Sequence, residues 1–465
     1  MKRIYILLLL TIAGCSKGYL DINQDNPNQT SNPPINGLLA QVTYQTGVNV
    51  FNIGNITSYY VQQLASPNAS GSKDIYDDID ASATWKNIYL VVEDIRKMEE
   101  LAAAKNAYRH MGVGQVLEAY NMSMLIDLWG DAPYSEAWQG ATHFTPAYDP
   151  APAIYDSCLV LIDKGIASLK QADPLIELDA ENDLIHGGSA TAWIKTAYTL
   201  KARLLNRMSK QAGYDPAAIL AALDSGYTSN SDDAAVTRFE SLSLWNRVAV
   251  NNASGTLDGW LSATFVNALN GNTDGVFDPR LPLITDTTKY GDYRGTVNGA
   301  GRVGSGTDTG QSYLSVKGFY SRSGAPLLIL TYAEARFIAA EASLAVDRAK
   351  AYHAYLDGIS ANMDKVGVGG ANKAAYLANT VVSPGEAGFG KDLLFKEKYR
   401  ALFLQPECWT DARRYDYKYK DFNLPENVLL PTFIRRVSYP ASETSRNAAH
   451  VPAVSSLAAL LWWDK

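Results

Sequence analysis

Residues 107–138 read AYRHMGVGQVLEAYNMSMLIDLWGDAPYSEAW, and the fold is decided by how this stretch spaces its apolar side chains. Met111, Gly114, Leu117, Tyr120, Met124 and Leu128 recur every three or four residues, the spacing of one helix face. Val113, Val116 and Ile126 add apolar surface elsewhere around the cylinder, which predicts a helix buried on more than one side. Gly112, Gly114, Ala119 and Ser123 are small enough to let a neighbouring helix approach closely. Gly130 and then Pro133 stop the helix. On pattern alone this is the core helix of an all-α protein, with nothing specific to a function.

Working outward, the same rhythm recurs. Asn36 to Leu64 carries one or two helices, and a polar loop from Ser66 to Ala83 leads to a helix from Trp85 to about Lys105, with Thr84 placed to cap it. That helix and the one at 107–129 are expected to form an antiparallel pair. Asp149 to Lys170 and Ser189 to Gln211 make a second pair, packing through Ala192, Ala197, Ala202 and Leu205, and Tyr214 to Leu223 adds a shorter helix. A third unit spans Leu328 to Ser360. Helix pairs of this length are tetratricopeptide-like. Between them, Ser231 to Ala325 breaks the pattern: it is rich in Gly, Asn, Thr, Asp and Tyr, with one helix expected near Leu257–Leu269.

The N-terminus is of another kind. Lys2 and Arg3 precede a short apolar run, Ile4 to Ile12, and then Ala13-Gly14-Cys15. This is a secretory signal whose apolar core is too short to span a bilayer. Ile12-Ala13-Gly14-Cys15 resembles a bacterial lipobox, which makes Cys15 the acylated first residue of the mature chain and residues 1–14 the removed signal. Several acyl chains anchor stably because each buried CH₂ contributes about 0.8 kcal/mol. Residues 15–35, polar and rich in Asn, Pro and Gln, form a tether. Loss of Lys2 and Arg3 moves the net charge from −7 to −9, a balance without the basic footprint that nucleic acid requires. Cys158 and Cys408, in apolar helical contexts, are expected to remain unpaired thiols.

Catalytic and metal signatures are missing. His110, His143, His186, His353 and His450 lie far apart and form no HExxH, and neither a GxSxG elbow nor a P-loop occurs. Asp21, Asn23 and Asp25 start like a calcium loop, but Asn26 stands at the obligatory glycine and Asn32 at the distal glutamate. Gly299-Ala300-Gly301-Arg302-Val303-Gly304 satisfies GxGxxG without the preceding strand and following helix that nucleotide binding needs. Asp127 and Asp131, flanking Trp129-Gly130, are the tempting carboxylate pair for glycoside hydrolysis; they read more simply as a helix-end hydrogen-bonding group and a turn residue. Arg413 and Arg414 read as structural ion-pair partners rather than ligand clamps.

Leu128-Trp129-Gly130-Asp131-Ala132-Pro133-Tyr134-Ser135-Glu136-Ala137 resembles a hallmark of the SusD/RagB family, the nutrient-binding outer-membrane lipoproteins of Bacteroidetes. Further markers follow in order. They include Tyr19–Asn28, Asp278-Pro279-Arg280-Leu281, Tyr332–Ala342, Glu397–Gln405, Glu407-Cys408-Trp409 and Arg413-Arg414. Arg436, Tyr439-Pro440, Glu443, Asn447 and Trp462-Trp463-Asp464 close the series. Ile434 departs from it, standing where a proline is expected.

The resemblance implies a SusD-like all-α fold, a single domain over residues 36–465 with tetratricopeptide-like helix pairs and an irregular insertion at about 231–325. It also implies capture of an oligosaccharide at the cell surface and its delivery to a SusC-like TonB-dependent transporter. No enzyme activity, catalytic residue, cofactor or metal is implied. A peptide ligand, or a scaffold of the transporter with no ligand of its own, stays open beside this reading, and a carbohydrate-active enzyme is the least favoured. Ligand contacts in the family come from the region leading into the first helix pair and from later irregular loops. By region and residue type the expected contacts are therefore Tyr76, Trp85, Trp260, Tyr290, Tyr293 and Tyr313. Replacing Trp260 and Tyr293 together by Ala is expected to weaken binding without unfolding the chain.

Overall fold

The structure, a computed structural model, describes residues 33–172, 176–306, 310–419 and 422–465. The signal, Cys15, the tether up to residue 32 and the loop weighed as a calcium site lie outside the described residues. Fifteen α-helices carry the described chain. The first six follow the apolar rhythm: α1 (Ile35–Tyr60), α2 (Ser82–Lys105), α3 (Tyr108–Trp129), α4 (Ala151–Leu169), α5 (Ala190–Arg207) and α6 (Pro216–Leu223). Two lie in the irregular region, α7 (Leu244–Ala253) and α8 (Ala263–Asn270). The rest are α9 (Tyr332–Ser343), α10 (Arg348–Val366), α11 (Gly370–Leu377), α12 (Gly385–Gly388), α13 (Lys391–Ala401), α14 (Glu407–Arg414) and α15 (Ala441–Arg446).

Helix α3 is buried at every residue from Gly112 to Trp129. Asn106, in the left-handed region at φ 53°, turns the chain from α2 into α3 within two residues. On another side α4 approaches so closely that a Cβ on Gly112 would lie 2.8 Å from the Gly165 carbonyl, and one on Gly165 would lie 2.8 Å from Val116. The small residues were legible; their partner helix was not. Polar residues between Gly112 and Trp129 are satisfied, as burial demands. Asn121 donates to Thr46 Oγ1 at 2.9 Å and accepts from Asn49 at 2.9 Å, while Glu118 takes Arg96 at 2.7 Å and the Tyr134 hydroxyl at 2.8 Å.

Two antiparallel strand pairs tie the irregular region down: β1 (Leu64–Ala65) with β3 (Trp260–Leu261), and β2 (Ala234–Val236) with β4 (Leu327–Leu330). One apolar core runs from Ile35 to Tyr439. Thr84 does not cap α2: the helix starts earlier, Thr84 is buried in its first turn, and Asp80 Oδ1 accepts the Ser82 N–H at 3.1 Å instead. The irregular region also holds one more helix than expected, α7, capped by Ser243.

The family-like markers fall largely on buried charge networks. Arg280 pairs with Asp278 at 2.6 Å and Glu397 at 2.7 Å, and Arg400 joins Glu397 from the next turn. Arg414 pairs with Glu341 and Asp411, both at 2.7 Å, while Lys398 takes Asp411 at 2.8 Å. Arg203 holds Glu334 at 2.6 Å; Arg207 spans Asp127 and Glu407. Arg413 has its guanidinium 3.6 Å from the Trp409 ring centroid and donates to the Asp127 and Arg435 carbonyls; burial lowers its pKa to about 10. Asp127 is thus an ion-pair partner, and Asp131 accepts the Ala151 N–H at the start of α4. Cys158 and Cys408 are buried and not joined; Gln63 Nε2 lies 3.3 Å from Cys408 Sγ.

Candidate functional site

The six aromatic residues expected at a ligand site do not form one group, although Trp260 and Tyr313 meet. Tyr76 is buried against Tyr60, with ring centroids 5.9 Å apart. Trp260 has no exposed surface: its indole N–H donates to Asn252 at 2.8 Å, and its ring packs on half-buried Tyr313. A Trp260 replacement would therefore strike the β1–β3 pairing, so the Trp260/Tyr293 double variant does not isolate binding from folding. Tyr290 is 60% exposed, with the Arg294 guanidinium 4.4 Å from its ring centroid. Tyr293 is half-buried and meets the ring of exposed Phe277 at 6.1 Å. Trp85 belongs to a separate aromatic group on α2.

Tyr293 and Phe277 stand at the C-terminal end of α8, where Asn270 donates to the Tyr293 carbonyl at 3.1 Å. The same helix lines a cleft of about 410 Å³ with Ala263, Thr264 and Asn267. Seven residues at 1.5 Å each separate its ends by about 10 Å. The cleft is completed by Gln62 from the end of α1, by Thr273, Val297 and Asn298, and by residues 423–426.

Its walls are held from behind. Asn298 donates to the Leu64 carbonyl at 2.9 Å and to Asp74 at 2.8 Å, and accepts from Ser262 at 2.6 Å. Asp74 also accepts the Ser66 and Gly299 N–H groups, at 2.7 and 3.0 Å, and burial raises its pKa to about 6. Gly299 (φ +84°) lies against residue 426 so closely that a Cβ would fall 1.8 Å from the Glu426 carbonyl. The GxGxxG run is therefore a packing loop. Gln62, Asn267, Asn298, Glu426 and Phe277 were missed from sequence; the glycines at 295, 299 and 301 were the available signal of close backbone approach.

A second depression, of about 570 Å³, lies between the first turns of α2, residues 133–146 and α15. Its floor holds Trp85, Tyr89 and Trp138, and its outer wall Leu90 and Phe144. Trp85 meets Trp129 edge-on at 5.1 Å and Tyr439 at 6.1 Å. Here the closing marker meets the opening one: Arg436 donates to the Trp129 carbonyl, Tyr439 to that of Asp131, Asn447 to that of Pro146, and Tyr148 donates to Glu443. The two depressions share no lining residue.

Neither carries a catalytic constellation. Among the described residues, no group of three His, Cys, Asp or Glu is placed to hold a metal ion, and no helix is long and apolar enough to cross a membrane. The cleft itself is lined by amides, hydroxyls and small apolar groups, and the Phe277–Tyr293 ring pair stands at the other end of α8; together they suit hydroxyl-rich ligands with flat apolar faces.

Comparison with known proteins bears on the same point. The family model SusD-like, described as starch-binding associating with outer membrane, matches residues 27–440. Among solved structures, a SusD/RagB family protein of Bacteroides thetaiotaomicron is 22% identical with a TM-score of 0.74, covering 93% of this chain and 99% of that one. A Bacteroidetes SusD-like protein is 20% identical with a TM-score of 0.76, over 93% and 100% of the two chains. A chitin-binding SusD homologue of Flavobacterium johnsoniae is 20% identical with a TM-score of 0.74, over 91% and 99%. Comparison with curated proteins returns no match.

Proposed function

The chain belongs to the SusD-like family of outer-membrane-associated binding proteins, and from that premise we propose that it captures an oligosaccharide in the α8 cleft. It then delivers that ligand to a SusC-like TonB-dependent transporter, while tethered to the outer membrane through acylated Cys15 and facing outward. The observation that carries the reading is the cleft itself. Gln62, Asn267 and Asn298 line it, and Tyr293 and Phe277 stand at the far end of the same helix, a short oligosaccharide's reach away, with Tyr290 three residues before Tyr293 in the chain. Amide groups match sugar hydroxyls as both donors and acceptors, and the rings match the C–H faces. Family membership places the chain among binding proteins rather than enzymes, so no reacting group is called for.

The test is calorimetry of the chain from Ser16 against a panel of glycans and peptides. Saturable glycan binding between roughly 10 µM and 1 mM is expected, weakened at least about fivefold by Tyr290→Ala with Tyr293→Ala. Unchanged affinity in that variant would move the site elsewhere. A peptide hit would replace the glycan, and silence across the panel, with a barrel protein copurifying, would leave a scaffold.

A further inference from the structure

We propose that the trough between α2, residues 133–146 and α15 is a second carbohydrate site, holding a short neutral oligosaccharide. The inference rests on the glycan-binding reading above but shares no residue with the α8 cleft. Its floor is fixed before any ligand arrives. Trp138 sits in the left-handed region, at φ +60°, an outlier for so bulky a side chain. Its indole N–H donates to the Tyr89 carbonyl at 3.1 Å, and the Arg96 guanidinium lies 4.0 Å from its ring centroid. Arg96 is itself held by Glu118 in α3. Strained backbone that neighbouring groups hold in place is characteristic of ligand sites.

The outer wall is built by the loop that follows. Glu136 accepts the Ala147 N–H at 2.8 Å and pairs with His143 at 3.0 Å, closing residues 136–147 on themselves. Phe144 is left 81% exposed on that wall and Leu90 44% exposed opposite. Along the rim stand Lys86 and Arg446 against Glu93 and Glu443, with Gln139 and Asn447 between them. Charges of both signs in equal number favour a neutral ligand, and the floor rings follow one another at centroid separations of 5.2 Å (Trp85 to Tyr89) and 5.3 Å (Tyr89 to Trp138). A volume of about 570 Å³ falls among ordinary small-ligand pockets, roughly 300–1,000 Å³. A stable protein partner needs about 800 Å² from each side, and in this trough the large exposed apolar side chains are Leu90 and Phe144 alone.

Calorimetry of the chain from Ser16 with maltohexaose, chitohexaose, cellohexaose and xylohexaose tests it. We compare wild type, the cleft variant Tyr290→Ala/Tyr293→Ala, and the trough variant Leu90→Ala/Phe144→Ala, whose exposed side chains leave the melting temperature unchanged. The expected result is glycan binding that survives in the cleft variant and falls about five- to tenfold when the trough changes are added to it. Binding abolished by the cleft variant alone and untouched by the trough variant would overturn the second site while leaving the primary reading intact. No binding of any glycan to wild type would overturn both. A trough variant that keeps all glycan binding but no longer copurifies with a barrel protein would also overturn it, marking a protein-facing surface.

Discussion

Glu99 on α2 packs against the backbone of α3, so closely that a Cβ on Gly114 would lie 2.8 Å from its Cγ. Its Oε1 is buried without a hydrogen-bond partner among the described residues. Burial first, and the charge of Glu118 second, raise its pKa from 4.5 to about 8. The folded chain therefore binds this proton more tightly than the unfolded one. Its contribution is fully present below about pH 4.5 and is lost as pH rises through about 8. Glu99→Gln, neutral throughout, should flatten stability between those limits and be the more stable protein at pH 9, by a few kcal/mol at most, at about 1.4 kcal/mol per pKa unit. Denaturant melts of both proteins at pH 5, 7 and 9 check this; parallel pH profiles would refute it. No such environment is legible in a sequence, where Glu99 is one acidic residue on a helix. The same blindness separated the aromatic residues. Tyr290 and Trp260 are alike in type and region, yet one is largely exposed and the other fully buried, because an indole 30 residues away along the chain is sorted by tertiary packing alone.

Periodicity carries far more at the scale of elements. Helices α1 to α6, α9 and α10 stand where three- and four-residue spacing put them, because burying a stripe is what stabilises a helix of ordinary length. Ends were less legible: Asp80 rather than Thr84 serves the start of α2. Nor does spacing say which helices meet. The α3–α4 crossing depends on Gly112 and Gly165, so Gly112→Ala, with its Cβ 2.6 Å from Leu169 Cγ and 2.8 Å from a carbonyl, should cost on the order of 1–3 kcal/mol. Gly370→Ala, where a Cβ meets nothing within 4 Å, should be neutral or stabilising by up to about 1 kcal/mol. Equal melting temperatures for the two variants would show that the close crossing contributes nothing. The α8 cleft belongs to the illegible part: its residues come from the end of α1, from the irregular region and from residues 423–426, and no local pattern records that meeting.

Across the whole molecule, markers 300 residues apart in sequence close on one another, and the C-terminus is the clasp. Trp463 is buried with the Arg413 guanidinium 4.8 Å from its ring centroid and that of Arg207 at 5.6 Å. Asp464 accepts from Arg435 at 2.6 Å and Lys210 at 3.1 Å, and Leu461 lies over Gly130, 3.3 Å from where a Cβ would stand. Removing residues 461–465 would open one flank of Arg413, whose guanidinium has carbonyl acceptors and tryptophan faces around it, and would take a carboxylate from Arg435 and Lys210. Both cations keep Asp416, each at 2.9 Å, so the loss is dominated by the buried indole, about 3–5 kcal/mol for a tryptophan side chain. The truncated chain should melt several degrees lower. None of the five residues lines the α8 cleft, so glycan affinity measured well below that melting point should stay within about twofold of wild type. A truncation that abolished binding while the chain remained folded would mean that the clasp sets the cleft's shape from a distance, and the cleft could no longer be treated as a site built from its own three segments.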